Sequence, residues 1–428
     1  MSLKSEIKIY IPVFSSAAQS KEFSLKGENP GVGGTEFIAI KLAIEIAKLC
    51  PDLDVVLVSE SKIQIKDFFV QQLVFENPRD FFRFCLPERQ SLIISCVSLL
   101  RKVDPDLIKN IKNKLICWSH HPFDVYLREI TDQVDLEHIV CVGVYQFYSN
   151  KSSKSNIYHI QNIFGSSSLE KLSLEKESNC QNINIVSLGA LIPGKSFVEV
   201  AKAWNQLKKQ IPGVKLHVIG SASTYGSKLE FDLVPASPDY AKEILKYIPE
   251  NDIQNGEVIF HGNLGEEKFD IIKQCDLAIL NPTGFTEAFP ASPLECMACG
   301  VPVIASDDYG MSDCMRFFPE LVINGHQNIA ERAEWLLEDP LRYRELQQRS
   351  ISVAQWFASQ KDQIITRWIR LIEAVAEGKT QELRLDPVMP FYGSKTVLIY
   401  RRDIRPKLAK LNSYRREIMG HLEKFRSS

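Results

Sequence analysis

Residues 277–306, LAILNPTGFTEAFPASPLECMACGVPVIAS, decide the fold of this chain. The run opens on four apolar residues, Leu277 to Leu280, which read as a buried strand. A loop punctuated by Pro282, Gly284 and Pro290 follows, and then a helix-like segment carrying Leu294, Met297 and Ala298. Gly300 ends that segment, and a second apolar strand occupies 303–305. Strand, loop, helix, strand in this order is a parallel crossover unit. Two carboxylates sit in it with seven residues between them, Glu287 in the loop and Glu295 early in the helix. In a parallel sheet, ligands lie beyond the carboxyl ends of the strands, where loop amides and helix N-termini point outward. A glutamate on each side of such a helix start can accept hydrogen bonds from the hydroxyls of a sugar and of a ribose. Amides between them can take phosphate.

Working outward, apolar runs at 7–14, 55–59, 92–96, 115–119, 139–142 and 157–161 make a first set of strand candidates. A second set falls at 183–188, 215–220, 258–262, 277–280, 303–305 and 321–323. Helical patterns at 35–49, 197–209 and 267–275 lie between strands. This alternation predicts an open parallel sheet with helices on both faces, made twice, with a ligand cleft between the two domains. The domains expected are 1–165 and 183–355, joined by a polar, serine-rich linker at 166–182.

A chain of 428 residues suits two or three domains. Its 45% hydrophobic and 24% charged content is ordinary for a globular protein, and its net charge of −2 gives no reason to expect nucleic acid as a partner. No apolar run approaches the roughly 18 residues needed to span a bilayer. The opening MSLKSEIKIYIPVF passes directly into a strand instead of forming a secretory leader, so a cytoplasmic protein is expected. Of ten cysteines, Cys50, Cys96, Cys117, Cys141, Cys275, Cys296 and Cys299 fall in apolar segments, which fits buried, reduced thiols. Cys296 and Cys299 have the spacing of a redox or zinc pair, but no second pair follows at zinc-finger spacing. They are read as small core residues of the helix.

Taken whole, Glu287-Ala-Phe-Pro-Ala-Ser-Pro-Leu-Glu295-Cys-Met-Ala-Cys-Gly-Val-Pro-Val-Ile304 resembles the signature of retaining glycosyltransferases of the GT-B fold, specifically glycosyltransferase family 4. That signature is a Glu-x7-Glu element followed by Ala-Met-Ala-x-Gly-x-Pro-Val-Ile, and the resemblance extends to about Glu377 with its strongest part at 256–306. It implies two Rossmann-like parallel-sheet domains facing a cleft, with the acceptor on the N-terminal side and a nucleotide sugar on the C-terminal side. A helix at 356–380, overlapping an apolar-marked run at 350–377, is expected to cross back to the first domain. The resemblance implies that Glu287 meets sugar hydroxyls and that Glu295 meets the ribose 2′- and 3′-hydroxyls. Amides of Phe289, Ala291 and Ser292 would meet the distal phosphate, and backbone at Gly262 and Leu264 the base. Pro290 and Pro293 lack an N–H, which narrows the set of amide donors. No metal and no cofactor are implied.

Three further elements are expected to line the cleft. Gly31-Val-Gly-Gly-Thr-Glu36 precedes an amphipathic helix, and the family's Gly-Gly-x-Glu element matches Gly33, Gly34, Thr35 and Glu36. Glycines there let the backbone approach a ligand and expose the first N–H groups of the helix. A dinucleotide fingerprint needs its turn directly after the strand, whereas polar residues 15–29 intervene here. Glu36 itself has a second reading, as a simple complement to the helix dipole. After the strand that opens the second domain comes Ser187-Leu-Gly-Ala-Leu-Ile-Pro-Gly-Lys195. Relatives carry an Arg after Gly189 and a Lys five residues on, both neutralising the leaving diphosphate; Lys195 fits, but the Arg place is Ala190. Trp118-Ser-His-His-Pro-Phe-Asp124 ends a first-domain strand. Adjacent histidines are poor partners for one metal, and relatives place a histidine here against the sugar, leaving His120 and His121 both open. Asp52 and Asp54 lie in a polar turn, and Asp307-Asp308 reads as a helix cap, so no metal ligands are predicted.

The function expected from the resemblance is transfer of a hexose from a nucleotide sugar, a UDP-sugar by family frequency, onto a glycan or lipid-linked saccharide in polysaccharide biosynthesis. Two alternatives stay open: a nucleotide-sugar epimerase of the same fold, and a catalytically weak sugar-nucleotide or glycan-binding protein. The basic extension at 381–428 carries Leu408, Leu411, Tyr414, Ile418 and Leu422 at helical spacing. It either packs its apolar stripe on the protein or lies on an anionic membrane, which would place the chain peripherally at the inner face.

Overall fold

The computed structural model describes residues 7–24, 27–88, 90–121, 125–150, 154–165, 183–225 and 233–389. The linker at 166–182 and the basic helix expected beyond 389 lie outside the described residues. The first half contains β1 (Lys8–Pro12), β2 (Glu22–Ser24), β3 (Asp54–Ser59), β4 (Gln64–Lys66), β5 (Gln71–Val74), β6 (Ser91–Cys96), β7 (Leu115–Ser119), β8 (His138–Cys141) and β9 (Asn156–His159). The second contains β10 (Asn184–Leu188), β11 (Lys215–Ile219), β12 (Val258–Gly262), β13 (Leu277–Leu280) and β14 (Val303–Ala305). One sheet has the order β5-β3-β1-β6-β7-β8-β9 and the other β12-β11-β10-β13-β14, while β2 and β4 form a short pair. Every pairing is parallel. Helices cover both faces of a parallel sheet, so central strands such as Lys8–Pro12 and Leu277–Leu280 are apolar with almost no alternation.

Several elements differ from the sequence expectation. Strands β2, β4 and β5 were not foreseen, because Glu22–Ser24, Gln64–Lys66 and Gln71–Val74 are short and partly exposed, with little apolar signal. The run at 321–323 is no strand: Pro319 starts a 3-10 turn, Pro319–Leu321, and Val322 alone bridges Ala305. The helical run at 350–377 is two helices, Pro340–Ser359 and Lys361–Ala376, which meet at Gln360. No Gly or Pro marks that junction.

The helix Lys361–Ala376 lies against the first half. Trp368 meets Trp118 edge to face at 4.9 Å, Arg367 Nη2 donates to His159 O at 2.7 Å, and Lys361 Nζ pairs with Glu45 Oε1 at 2.5 Å. The halves also touch directly. Asn263 Nδ2 donates to Gly31 O at 2.8 Å and Glu28 N to Glu266 Oε1 at 3.0 Å. At a second place Val144 N donates to Asp313 Oδ2 at 2.9 Å, and Tyr145 packs on Tyr309 at 5.4 Å. Gly143 is required there, since a Cβ would sit 1.9 Å from Ala288 O. Among the described residues no helix is long and apolar enough to cross a membrane.

Candidate functional site

The two glutamates of the fold-deciding segment occupy different surroundings. Asn281, at the end of β13, adopts φ +33°, a left-handed conformation that asparagine tolerates, and Thr286 follows at φ +66°. These turns swing Glu287 back beneath its own loop, where Glu287 N donates to Gly284 O at 3.2 Å and Gly310 N donates to Glu287 O at 3.0 Å. Its carboxylate is buried, with Oε1 accepting from Lys195 Nζ at 2.8 Å and from Asn281 Nδ2 at 3.1 Å. Lys195 is delivered by a 3-10 turn, Pro193–Lys195, whose loop is laced to the glutamate's loop. Thr286 Oγ1 donates to Gly194 O at 2.9 Å, and the hydroxyls of Ser196 and Thr283 lie 2.7 Å apart.

Glu295 lies in the helix Ser292–Ala298. Its Oε1 accepts from Lys268 Nζ at 2.6 Å. Ser292 stands at the start of this helix, where N–H groups have no intrahelical acceptor, while Pro293 contributes none. Ala291 is exposed just ahead of it, and Phe289 is buried edge-on against Phe357 at 5.7 Å. Ala190 is buried at the position where relatives carry a cation. Gly189 lies at the end of β10, and Gly262, at φ +69°, ends β12. Leu264 follows in the loop that reaches Gly31.

From the first half, His121 is brought into the electrostatic neighbourhood of the Lys195–Glu287 pair. Burial and then the charges of Lys195 and Arg101 push its imidazole below the usual value, with Glu287 opposing. His120 lies against Trp118, the rings tilted with centres 4.6 Å apart, and burial, with His121 beside it, pushes it down to about 3. Gly33 is buried ahead of the helix Gly34–Leu49, and Gly34 is exposed with open space above its Cα. Glu36 folds back over Gly33 and lines a cavity of about 60 Å³ with Thr35, Cys96, Ser98, Lys102 and Trp118. That cavity lies beyond the carboxyl ends of β1, β6 and β7, where parallel sheets hold ligands.

Sequence reading missed Asn281, Thr286 and Lys268. Asn281-Pro282 at a strand end was a turn signal for the first. Lys268 had none, because nothing in EEKFDII distinguishes a buried lysine from a solvated one. The Cys296 and Cys299 thiols are pushed up by burial, Cys299 to about 12, as core packing requires. Among the described residues no three His, Cys, Asp or Glu side chains cluster as a metal site would require.

Residues 170–354 match the family described as glycosyl transferases group 1. The chain is 23% identical over 365 residues to an uncharacterized glycosyltransferase of Haemophilus influenzae, covering 78% of this chain and 95% of that one. In shape it is similar to sucrose-phosphate synthase from Thermosynechococcus elongatus, with a TM-score of 0.61 at 15% identity over 87% of this chain and 100% of that one. It is also similar to Anabaena HepE in complex with UDP and glucose, with a TM-score of 0.56 at 15% identity over 85% and 100%. Likeness at this identity assigns the fold, two Rossmann-like parallel-sheet domains of the GT-B type. Residues 170–354 therefore resemble a group 1 glycosyltransferase domain, set within a chain of GT-B fold.

Proposed function

We propose that this chain is a retaining, metal-independent glycosyltransferase of family 4. It moves a hexose from a nucleotide sugar, with UDP as the carrier, onto a glycan or lipid-linked saccharide in polysaccharide biosynthesis. The observation that carries the reading is the part-buried Lys195–Glu287 pair, 2.8 Å apart ahead of the helix Ser292–Ala298, with His121 of the other half within its electrostatic reach. The UDP and glucose bound to the structurally similar HepE support the choice of carrier and sugar. The division of labour follows the sequence: 1–165 on the acceptor side, 166–182 as linker, 183–355 for the donor, 356–380 crossing back and 381–428 as a basic extension.

A nucleotide sugar already carries a good leaving group, so the protein has to hold the donor, stabilise the departing diphosphate and present an acceptor hydroxyl. Glu287 accepts hydrogen bonds from sugar hydroxyls. Lys195 and the first amides of the helix Ser292–Ala298 meet the diphosphate, a larger share than usual because Ala190 supplies no charge. His121 is neutral near pH 7 and serves as a hydrogen-bond partner to the sugar instead of a cation. The bond from the anomeric carbon to the diphosphate oxygen breaks through an oxocarbenium-like transition state. The acceptor oxygen bonds to the same face, and its proton passes to the departing diphosphate.

The test is the melting midpoint against UDP, GDP, ADP and CMP in EDTA, repeated on Glu295→Ala. A ligand at a hundredfold excess over its Kd stabilises by roughly 2.7 kcal/mol. A rise with UDP that is lost in Glu295→Ala is expected. No shift with any nucleotide would sink the donor reading and leave glycan binding.

A further inference from the structure

Lys268 opens the helix Lys268–Ile272 and is 6% exposed, with its Nζ 2.6 Å from Glu295 Oε1 and 5.2 Å from the centre of the Phe269 ring. Glu295 is 8% exposed. Lysine is among the residues least often buried. Taking two charges out of water costs about as much as their attraction returns, so an apolar pair of similar volume would hold the fold as well or better. Stability alone therefore gives no reason for this pair. The other glutamate of the segment carries a lysine too, but the two lysines differ. The Lys195 side chain is 22% exposed and has ammonium surface to offer a phosphate, whereas the Lys268 side chain is 7% exposed and has little. Lys268 can act on a ligand only through the carboxylate it holds.

We infer that Lys268 is a positioning residue for nucleoside recognition. It fixes Glu295 by Oε1 and leaves Oε2 to the ribose hydroxyls of a nucleoside diphosphate. The inference rests on the proposed role of Glu295 at the ribose. It assigns Lys268 to the nucleoside part of the ligand, in contrast to Lys195, which answers to the phosphates.

Titration of the full chain with uridine and with UDP separates these roles. Lys268→Met is expected to weaken both ligands by the same factor, about tenfold, as the loss of one charge-assisted contact requires. Lys195→Ala is expected to weaken UDP alone. In a Glu295→Ala background, Lys268→Met should cost nothing further. Loss of UDP affinity with uridine binding intact, unchanged binding of both, or an additive loss in the Glu295→Ala background would each overturn the assignment. If Lys268→Met does not fold, Lys268→Arg keeps the charge and is expected to hold uridine within a few-fold; a tenfold loss there also overturns it. Failure of the unsubstituted chain to bind either ligand would instead bring down the donor reading itself, and the assignment with it.

Discussion

At the scale of the residue, Glu287 has no role in the sheet or core that an apolar side chain could not fill, yet it is buried and held by Lys195 and Asn281. Glu287→Gln keeps the shape and removes the charge. It is expected to lower the transfer rate by about a hundredfold, the usual cost of one preorganised electrostatic contact, while UDP affinity changes little. Equal rates in the two forms would remove Glu287 from the chemistry. His120 makes a pH prediction. Burial pushes it down from 6.5 to about 3, so between those values the unfolded chain takes up a proton that the folded chain refuses. Its contribution to stability is complete above pH 6.5 and is lost as pH falls toward 3. His120→Gln should flatten the acid limb of the melting midpoint; an unchanged limb would place the titration elsewhere.

At the scale of the element, the strand–loop–helix unit from β13 to the helix Ser292–Ala298 is built to expose amides, and it is short of donors. Pro293 is without an N–H inside the first turn, Pro290 is without one in the loop, and Ala190 supplies no charge. If diphosphate charge limits the reaction, Ala190→Arg should raise UDP affinity about tenfold and make it more sensitive to salt, because a guanidinium binds phosphate bidentately. A fall or no change would mean that the helix amides and Lys195 already saturate the diphosphate.

At the scale of the whole molecule, the halves are held by a buried carboxylate and a close backbone approach. Asp313 is fully buried and accepts from Val144 across the boundary; burial pushes its carboxyl up to about 7, with the Val144 amide and Arg316 opposing. The folded chain therefore holds this proton between about 4 and 7, where the unfolded chain has released it. The stability it contributes is full below pH 3.8 and is lost as pH rises through 7. Asp313→Asn keeps an oxygen for Val144 and removes the titration, so its midpoint should fall less than the parent's between pH 4 and 7. Gly143→Ala would drive a Cβ to 1.9 Å from Ala288 O and should cost about 1–3 kcal/mol or part the halves. An unshifted melting midpoint would show that this contact yields without strain.

The sequence by itself determined the two parallel sheets, because strands buried on both faces read as unbroken apolar runs whatever their neighbours. It also determined that Glu287 and Lys195 belong to strand-end loops and Glu295 to the first turn of a helix, since turn chemistry and helix starts are local. It misread what depends on partners distant in the chain. The run at 321–323 has strand-like composition, but Pro319 turns the chain and leaves Val322 a single bridge. The edge strand Gln71–Val74 exists only because β3 offers it a ladder. Only the tertiary structure brings the charges of Lys195 and Glu287 to bear on His121 while His120 lies against Trp118, because that depends on how one half faces the other. It alone buried Lys268 under Glu295, since a lysine's burial is decided by what packs around it and not by its own sequence.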